Sequence, residues 1–223
     1  HFTVNNIATG EQYPDSPTNN FPVMNSLDSG SFATTFAGGN INMTTGGGGQ
    51  EPGNMATMGM TSGKWYFEVQ SDDTNGYTLL GVIDEDSLLA IYINGDAHAG
   101  DAPYGITYYG GGGSIITNGS AVTGLSFPAW TTETMGCALD LDNNKMYWAK
   151  NGSYVNSGNP AGNSNGFSVL APSATSLGAY FPAAGDGHSS SENYIFNFGQ
   201  EGTFAGNETA GGNVDDNDIG NFK

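Results

Sequence analysis

The sequence predicts an all-β protein, an antiparallel β-sandwich assembled from many short strands. Short apolar stretches recur at roughly ten-residue spacing, as in sandwich domains. Glycine supplies 36 of the 223 residues, and clusters of Gly, Asn and Ser mark turns between the stretches. No segment keeps a helical period over three turns. Short strands, frequent turns and missing helical patterning together favour two packed sheets.

The clearest predicted strand covers residues 64–70, where Trp65, Phe67 and Val69 alternate with polar neighbours. Alternation of this kind indicates a strand with one buried face, so we expect these three side chains to point inward. Residues 77–84 are apolar at both alternating sets of positions, which predicts a central strand. Further strands are predicted at 88–94, 177–181 and 194–198, and a hairpin at 106–109 and 114–117 around four glycines.

The stretch 135–154 predicts a second hairpin, whose two-residue turn lies at 143–144. Both turn positions are Asn, which tolerates the positive φ angles of a type I′ turn. This register places Trp148 opposite Leu139 on an apolar face and Asp140 on a polar face. We therefore expect a buried Trp148 and a largely exposed Asp140.

The pattern indicates one domain over residues 1–223, because no linker separates two cores. The main sandwich is expected at about 63–200. Residues 1–62 are turn-rich and are expected to add strands that pack on it. Residues 201–223 form an acidic Gly/Asn-rich tail, expected to pack lightly on the domain or to lead to a segment that is removed.

Charge excludes several classes of partner. The net charge is −18, and the four lysines are accompanied by no arginine. Neutralising phosphates needs Lys and Arg, so nucleic acid and anionic membrane surfaces are excluded as partners. No apolar run reaches the length of a membrane span. The single cysteine, Cys137, lies on the apolar hairpin face and is expected to be buried.

Several motifs resemble the SPRY (B30.2) family, and they occur in the family's order. They are the G-K-W-Y-F-E-V strand at 63–69, L-G-V at 80–82, the hairpin at 135–152, Y-F-P at 180–182 and F-N-F-G-Q at 196–200. The resemblance implies a concanavalin-like, jelly-roll-like antiparallel sandwich. It also implies a binding or structural module without catalysis.

A narrower resemblance links residues 15–27 and 197–213 to SPRY-containing structural proteins of marine bacteriophages. It implies a capsid decoration, fibre or tail component on the virion surface, outside the host cell. Its partners would be a host-surface glycan or protein or other virion proteins, with homo-oligomers in the assembly. Two alternatives stay open: a secreted carbohydrate-binding module of a microbial surface protein, and a glycan hydrolase on a concanavalin-like scaffold.

The richest candidate binding loops are 95–104 and 108–114, joined by 127–132. They combine tyrosines, a tryptophan and carboxylates, which suits stacking and hydrogen bonding to sugars or a protein contact. The candidate ligand-binding residues are Asp96, His98, Asp101, Tyr104, Tyr108, Tyr109 and Trp130.

No motif predicts a catalytic residue, a metal ligand or a cofactor. The G-N-S-N-G stretch at 162–166 has the letters of a serine-hydrolase elbow but no following helix. Asp140 and Asp142 share a strand face, yet Lys145 beside them favours a solvated surface over a glycosidase pair. Calcium stays possible at the acidic run 215–218, although the spacing of a calcium loop is absent.

Overall fold

The structure is a computed structural model that describes residues 20–27, 34–46, 53–84, 104–117, 120–122, 127–186 and 191–223. Fourteen strands form within this part of the chain. The first seven are β1 (Thr35–Ala37), β2 (Asn42–Thr44), β3 (Gly53–Met55), β4 (Lys64–Ser71), β5 (Thr78–Ile83), β6 (Ile106–Tyr109) and β7 (Ser114–Thr117). The others are β8 (Ser120–Ala121), β9 (Met135–Asp140), β10 (Lys145–Lys150), β11 (Ser153–Tyr154), β12 (Phe167–Ser168), β13 (Phe181–Asp186) and β14 (Asn193–Asn197).

The strands form two antiparallel sheets, which confirms the predicted all-β sandwich. One sheet has eight strands in the order β1-β2-β14-β4-β9-β10-β11, with β12 paired to β10. The other has six strands in the order β3-β13-β5-β6-β7-β8. The two short 3-10 turns of the described residues are Val155–Ser157 and Pro172–Ala174.

The core lies between the two sheets, and Trp148 is its clearest link. Its indole Nε1 in β10 donates a hydrogen bond to the carbonyl oxygen of Leu80 in β5 over 3.2 Å. Its ring also lies 6.0 Å from the ring of Tyr108 in β6. Cys137 is buried on the same side of the first sheet, as predicted. Strands of both sheets therefore contribute to one apolar core.

The hairpin of β9 and β10 forms where the sequence predicts it, but its register is wrong by two residues. Met146 pairs with Leu139, and Trp148 pairs with Cys137. The turn therefore covers the four residues 141–144 instead of two. Because side chains alternate with a period of two, this shift leaves each side chain on its predicted face. Burial of Trp148 is thus confirmed although its predicted partner is not.

The predicted exposure of Asp140 is also wrong, since its side chain is only 4% exposed. The longer turn folds Asn143 back over it, so that the carboxylate accepts the Asn143 backbone N–H at 3.0 Å and its side-chain Nδ2 at 2.8 Å. The Lys64 ammonium lies 3.5 Å away. Burial by itself raises the pKa of this carboxyl, but the Asn143 donors and the Lys64 charge outweigh it and lower the pKa.

Most other predicted strands are confirmed: 64–70 as β4, 77–84 as the fully buried β5, 106–109 and 114–117 as β6 and β7, and 194–198 as β14. The strand predicted at 177–181 is wrong, because β13 begins only at Phe181. Gly178 has a φ of +73° and breaks the extended chain there. The strand predicted at 88–94 lies outside the described residues.

Two glycines of the sequence motifs lie where neighbouring groups approach the backbone closely. A Cβ at Gly81 in β5 would collide with the carbonyl oxygen of Ile106 in β6. A Cβ at Gly136 in β9 would collide with the hydroxyl of Tyr66 in β4. These contacts explain why the L-G-V strand and the hairpin carry glycine inside strands, where it is otherwise unfavourable.

Candidate functional site

A groove of about 550 Å³ opens beside the first residues of β4. Its walls are the start of β4, the segment 20–22 and the C-terminal segment 215–222. The lining is mainly apolar and aromatic, and includes Phe21, Pro22, Met58, Met60, Trp65, Tyr154, Ile219 and Phe222. Its volume falls within the range of pockets that bind small molecules or peptide side chains.

Trp65 is the prominent side chain of this groove, because 44% of it is exposed. It belongs to the same alternating set as the buried Phe67, and the sequence predicts it inward. It is only the second residue of β4, however, and its ring lies at the border of the core. The indole Nε1 donates to the carbonyl oxygen of Ser62 at 2.7 Å, which fixes the ring. Met58, which also lines the groove, is 40% exposed.

The C-terminal segment forms one wall because it packs closely on the outer face of β4. The ring of Phe222 meets the ring of Tyr66 edge to face, with 5.2 Å between centroids. The Glu68 Oε1 accepts the backbone N–H of Lys223 at 2.8 Å and the Tyr66 hydroxyl at 3.0 Å. Hydrogen bonds and an aromatic contact therefore attach the end of the tail to the sheet, whereas most residues at 205–218 are exposed.

Glu68 is fully buried beneath this segment. Its Oε2 accepts the Nδ2 of Asn197 at 3.0 Å, and the same Nδ2 lies 3.0 Å from the carbonyl oxygen of Asn221. Burial raises the pKa of the Glu68 carboxyl, although hydrogen bonds from Lys223, Asn197 and Tyr66 act in the opposite direction. The carboxyl thus joins β4, β14 and the C-terminal segment through one polar network.

The turn at 215–219 gives the groove an acidic border. The Asp215 Oδ1 accepts the backbone N–H groups of Ile219 at 2.9 Å and of Asn217 at 2.8 Å. These hydrogen bonds lower the pKa of the Asp215 carboxyl. Asp216 and Asp218 on the same turn are exposed. The border is therefore anionic at neutral pH.

Two of the predicted binding residues prove to belong to the core. Tyr108 and Trp130 are fully buried, which contradicts the expectation that they lie exposed on binding loops. The Tyr108 hydroxyl donates to the carbonyl oxygen of Pro128. The Trp130 Nε1 donates to the carbonyl oxygen of Glu133 at 2.5 Å. Alternation in β6 carries a signal for this outcome, because Tyr108 shares its face with the buried Ile106.

None of the other predicted binding residues that the structure describes lies in the groove. Tyr104 and Tyr109 are half-buried and do not line it. Asp96, His98 and Asp101 lie outside the described residues. The groove residues themselves were missed, because Trp65 reads from sequence as an ordinary inward strand residue. The groove forms because the C-terminal segment, which is distant from β4 in the sequence, packs beside the start of this strand.

The structure gives no support to the catalytic motifs weighed from the sequence. Asp140 is held in its charged form by Asn143 and Lys64, which is unsuited to a general acid. Ser164 lies exposed in a turn, paired through its backbone with Asn159. Within the described ranges, no group of three or more metal-ligating side chains is close enough to hold an ion. The expectation that the chain holds no cofactor stays a prediction.

The fold and the groove define a two-sheet β-sandwich with an open apolar site. The SPRY domain family matches residues 64–201 of the chain. The protein therefore belongs to the SPRY domain family, whose members are typically protein–protein interaction modules and generally non-catalytic.

Solved SPRY domains share this fold. The SPRY domain of human HERC1 superposes with a TM-score of 0.57 at 16% identity, covering 78% of this chain and 96% of that one. A second human SPRY domain superposes with a TM-score of 0.54 at 18% identity, and the alignment covers 75% of this chain and 96% of that one. The TRIM65 PSpry domain superposes with a TM-score of 0.55 at 12% identity, and the alignment covers 79% of this chain and 92% of that one. No curated protein sequence matches the chain. Among the described residues, no helix is long and apolar enough to cross a membrane.

Proposed function

We propose that this protein is a binding module without catalytic activity that holds a protein segment in the groove beside Trp65. The observation that carries the proposal is the exposure of Trp65 in an apolar groove of about 550 Å³. Tryptophan and tyrosine dominate the energetic centres of protein interfaces. Membership of the SPRY family supports a protein as the partner.

The groove also meets the requirement for a prearranged site. The Ser62 carbonyl holds the Trp65 indole at 2.7 Å, and Glu68 anchors the opposite wall through Lys223. A partner that inserts an apolar side chain therefore finds walls that are already ordered. Binding then loses less conformational entropy than it would in a mobile loop.

For the setting of this function, we propose the exterior of a phage particle, where the module attaches to a host surface or joins other particle proteins. The sequence resemblance at 15–27 and 197–213 supports this setting, and so does a net charge of −18, which favours solubility. Antibodies raised against the chain should label intact particles. Labelling only of disrupted particles would contradict the exterior position.

Glycan binding is the second candidate and would use a different surface. The half-buried Tyr104 and Tyr109 support it, because Tyr109 flanks the glycine turn at 110–113. A Cβ added at Gly112 would lie 3.3 Å from the Tyr109 ring, so this ring borders the turn, and the partly exposed side chain is accessible for sugar stacking. A glycan array probed with the wild type and with a Tyr104→Ala/Tyr109→Ala double variant tests this candidate. Equal signals from the two proteins would exclude these tyrosines.

The groove is tested with a display library of random 12-residue peptides, selected on the immobilised chain. Selected peptides should lose at least about 30-fold in affinity for Trp65→Ala, as expected of an interface hot spot. Leu177→Ala is the matched control, because Leu177 is 47% exposed but does not line the groove. Peptides that bind Trp65→Ala as well as the wild type, or a library that yields no binder, would overturn the groove as the site.

A further inference from the structure

We infer that the segment held in the groove is cationic: an extended peptide with one bulky apolar anchor next to Lys or Arg. The inference rests on the proposed function, because it names the chemistry of the partner at the same groove. Its evidence is the distribution of charge around the groove, which is separate from the exposure of Trp65.

Among the described residues, no lysine pairs with the carboxylates at the border. Among the described residues, the ion pairs are Lys64–Asp140, Lys150–Glu133 and Lys223–Glu208. The fourth lysine, Lys145, donates to the Ser168 hydroxyl at 2.8 Å. The acidic turn at 215–218 is therefore left without a lysine among these residues. A basic partner would supply the missing positive charge.

The acidic turn is held in one shape before any partner arrives. The Asp215 carboxylate binds two backbone N–H groups of its own turn. A further backbone hydrogen bond of 2.8 Å joins the Asp215 N–H to the Ile219 carbonyl. Ile219 and Asp215 both line the groove. The turn thus presents the Ile219 side chain and the Asp215 carboxylate to the groove, and carries the exposed Asp216 and Asp218 next to them.

Lys64 sets the direction in which the charged part of the peptide lies. It is the one lysine among the lining residues, and its ammonium is paired with Asp140 at 3.5 Å. A second cation placed beside it would be repelled, whereas the turn at 215–218 attracts one. The apolar anchor therefore rests against Trp65, and the basic residue extends toward the C-terminal segment. An acidic peptide would meet like charge along that segment.

The test uses peptides selected on the full chain, as described for the groove. Their sequences should be enriched in Lys or Arg within a few positions of an aromatic or large aliphatic residue. Fluorescence anisotropy should show affinity falling at least tenfold between 20 and 500 mM NaCl, since salt screens exposed charges. Replacing the basic residue of a selected peptide by Gln should weaken binding to a similar degree.

The matched protein variants are Asp216→Asn/Asp218→Asn and Asp72→Asn. The double variant removes two charges beside the groove and should weaken the selected peptides about 5- to 10-fold. Asp72→Asn removes an exposed carboxylate that follows the last residue of β4, at the opposite end of this strand from the groove, and should leave affinity unchanged. Circular dichroism confirms that each variant is folded.

The outcomes separate this inference from the proposed function. Some selected peptides could require Trp65 but carry no basic residue, or bind Asp216→Asn/Asp218→Asn as tightly as the wild type. Either result would overturn the cationic partner and leave the groove as the binding site. Peptides indifferent to Trp65→Ala, or a library that yields no binder, overturn both. Enrichment in Asp or Glu would also contradict the inference.

Discussion

Trp65 and Trp148 share an apolar, strand-forming character but have opposite roles. Trp148 is 1% exposed and joins the two sheets through its bond to Leu80. Trp65 lies at the border of the core and offers its ring to the groove. Position within the strand, and not residue type, decides between a core role and a binding role.

Replacement of each tryptophan by alanine should separate these roles. Trp148→Ala should lower the free energy of unfolding by about 3–5 kcal/mol, because it empties a large, well-packed site. Trp65→Ala should change it by no more than about 1 kcal/mol. Urea unfolding followed by circular dichroism measures both variants. Similar losses in the two would contradict the assignment of Trp65 to a surface site.

Asp140 is expected to stabilise the fold only when it is ionised. Its folded-state pKa lies below the unfolded value of about 3.9. Its contribution is therefore present above about pH 4 and is lost as the pH falls through the folded pKa. Asp140→Asn should reduce stability at pH 7 by about 1–3 kcal/mol.

The pH profile supplies the discriminating measurement for Asp140. The wild type should lose stability more steeply than Asp140→Asn as the pH falls below about 4, because the variant has no carboxylate to protonate there. Asp142→Asn is the control, since Asp142 is exposed and its carboxylate accepts the Gly63 N–H at 3.1 Å. Parallel acid profiles for wild type and Asp140→Asn would contradict the role given to Asp140.

At the scale of elements, the β9–β10 hairpin depends on its four-residue turn. Asn144 has a φ of +53° within it, a conformation that is costly for side chains branched at Cβ. Asn144→Gly should therefore leave stability nearly unchanged, whereas Asn144→Val should cost about 1–2 kcal/mol. Thermal unfolding of the pair measures the difference. Equal stability of the two variants would contradict the positive φ.

The C-terminal segment is the second element whose attachment is testable. Phe222→Ala removes the edge-to-face contact with Tyr66 and should cost on the order of 1–2 kcal/mol. Hydrogen exchange at the Lys223 amide, which donates to Glu68, should accelerate. Val214→Ala, at an exposed site of the same segment, is the control. An unchanged exchange rate at Lys223 would show that Phe222 does not hold the segment.

At the scale of the whole molecule, folding brings together carboxylates that are distant along the chain. Glu192 immediately precedes β14 and is buried, while Asp72 and Asp73 follow the end of β4. Hydrogen bonds of 3.0 and 2.9 Å between the Glu192 backbone and Thr45 hold this end of the sheet in place. Burial, followed by the charges of Asp73 and Asp72, raises the pKa of Glu192 to about 7.

This raised pKa makes global stability depend on pH near neutrality. The native state binds a proton at Glu192 that the unfolded chain releases above its ordinary carboxyl pKa. The stabilisation is therefore present at low pH and is lost as the pH rises through about 7. The melting temperature should rise from pH 8 to pH 6, and Glu192→Gln should flatten that rise. A variant that keeps the full rise would exclude Glu192 as its source.

The sequence by itself determined the strands whose pattern is local. Alternation in β4, apolar residues on both faces of β5 and the glycine hairpin of β6 and β7 each specify an element within a few residues. The faces of the β9–β10 hairpin were predictable even though its pairing was not, because a slip of two residues preserves alternation. Family membership followed from the same motifs and was predictable at 63–200.

Only the tertiary structure decided where the groove and its charges lie. The groove depends on Phe222 reaching Tyr66 and on Glu68 receiving the Lys223 amide, contacts across some 155 positions of the chain. The buried positions of Tyr108 and Trp130 likewise depend on the loop that contains Pro128 and Glu133, whose carbonyl oxygens accept hydrogen bonds from these two side chains. Such contacts arise from packing of distant segments, and no local period or turn signal encodes them.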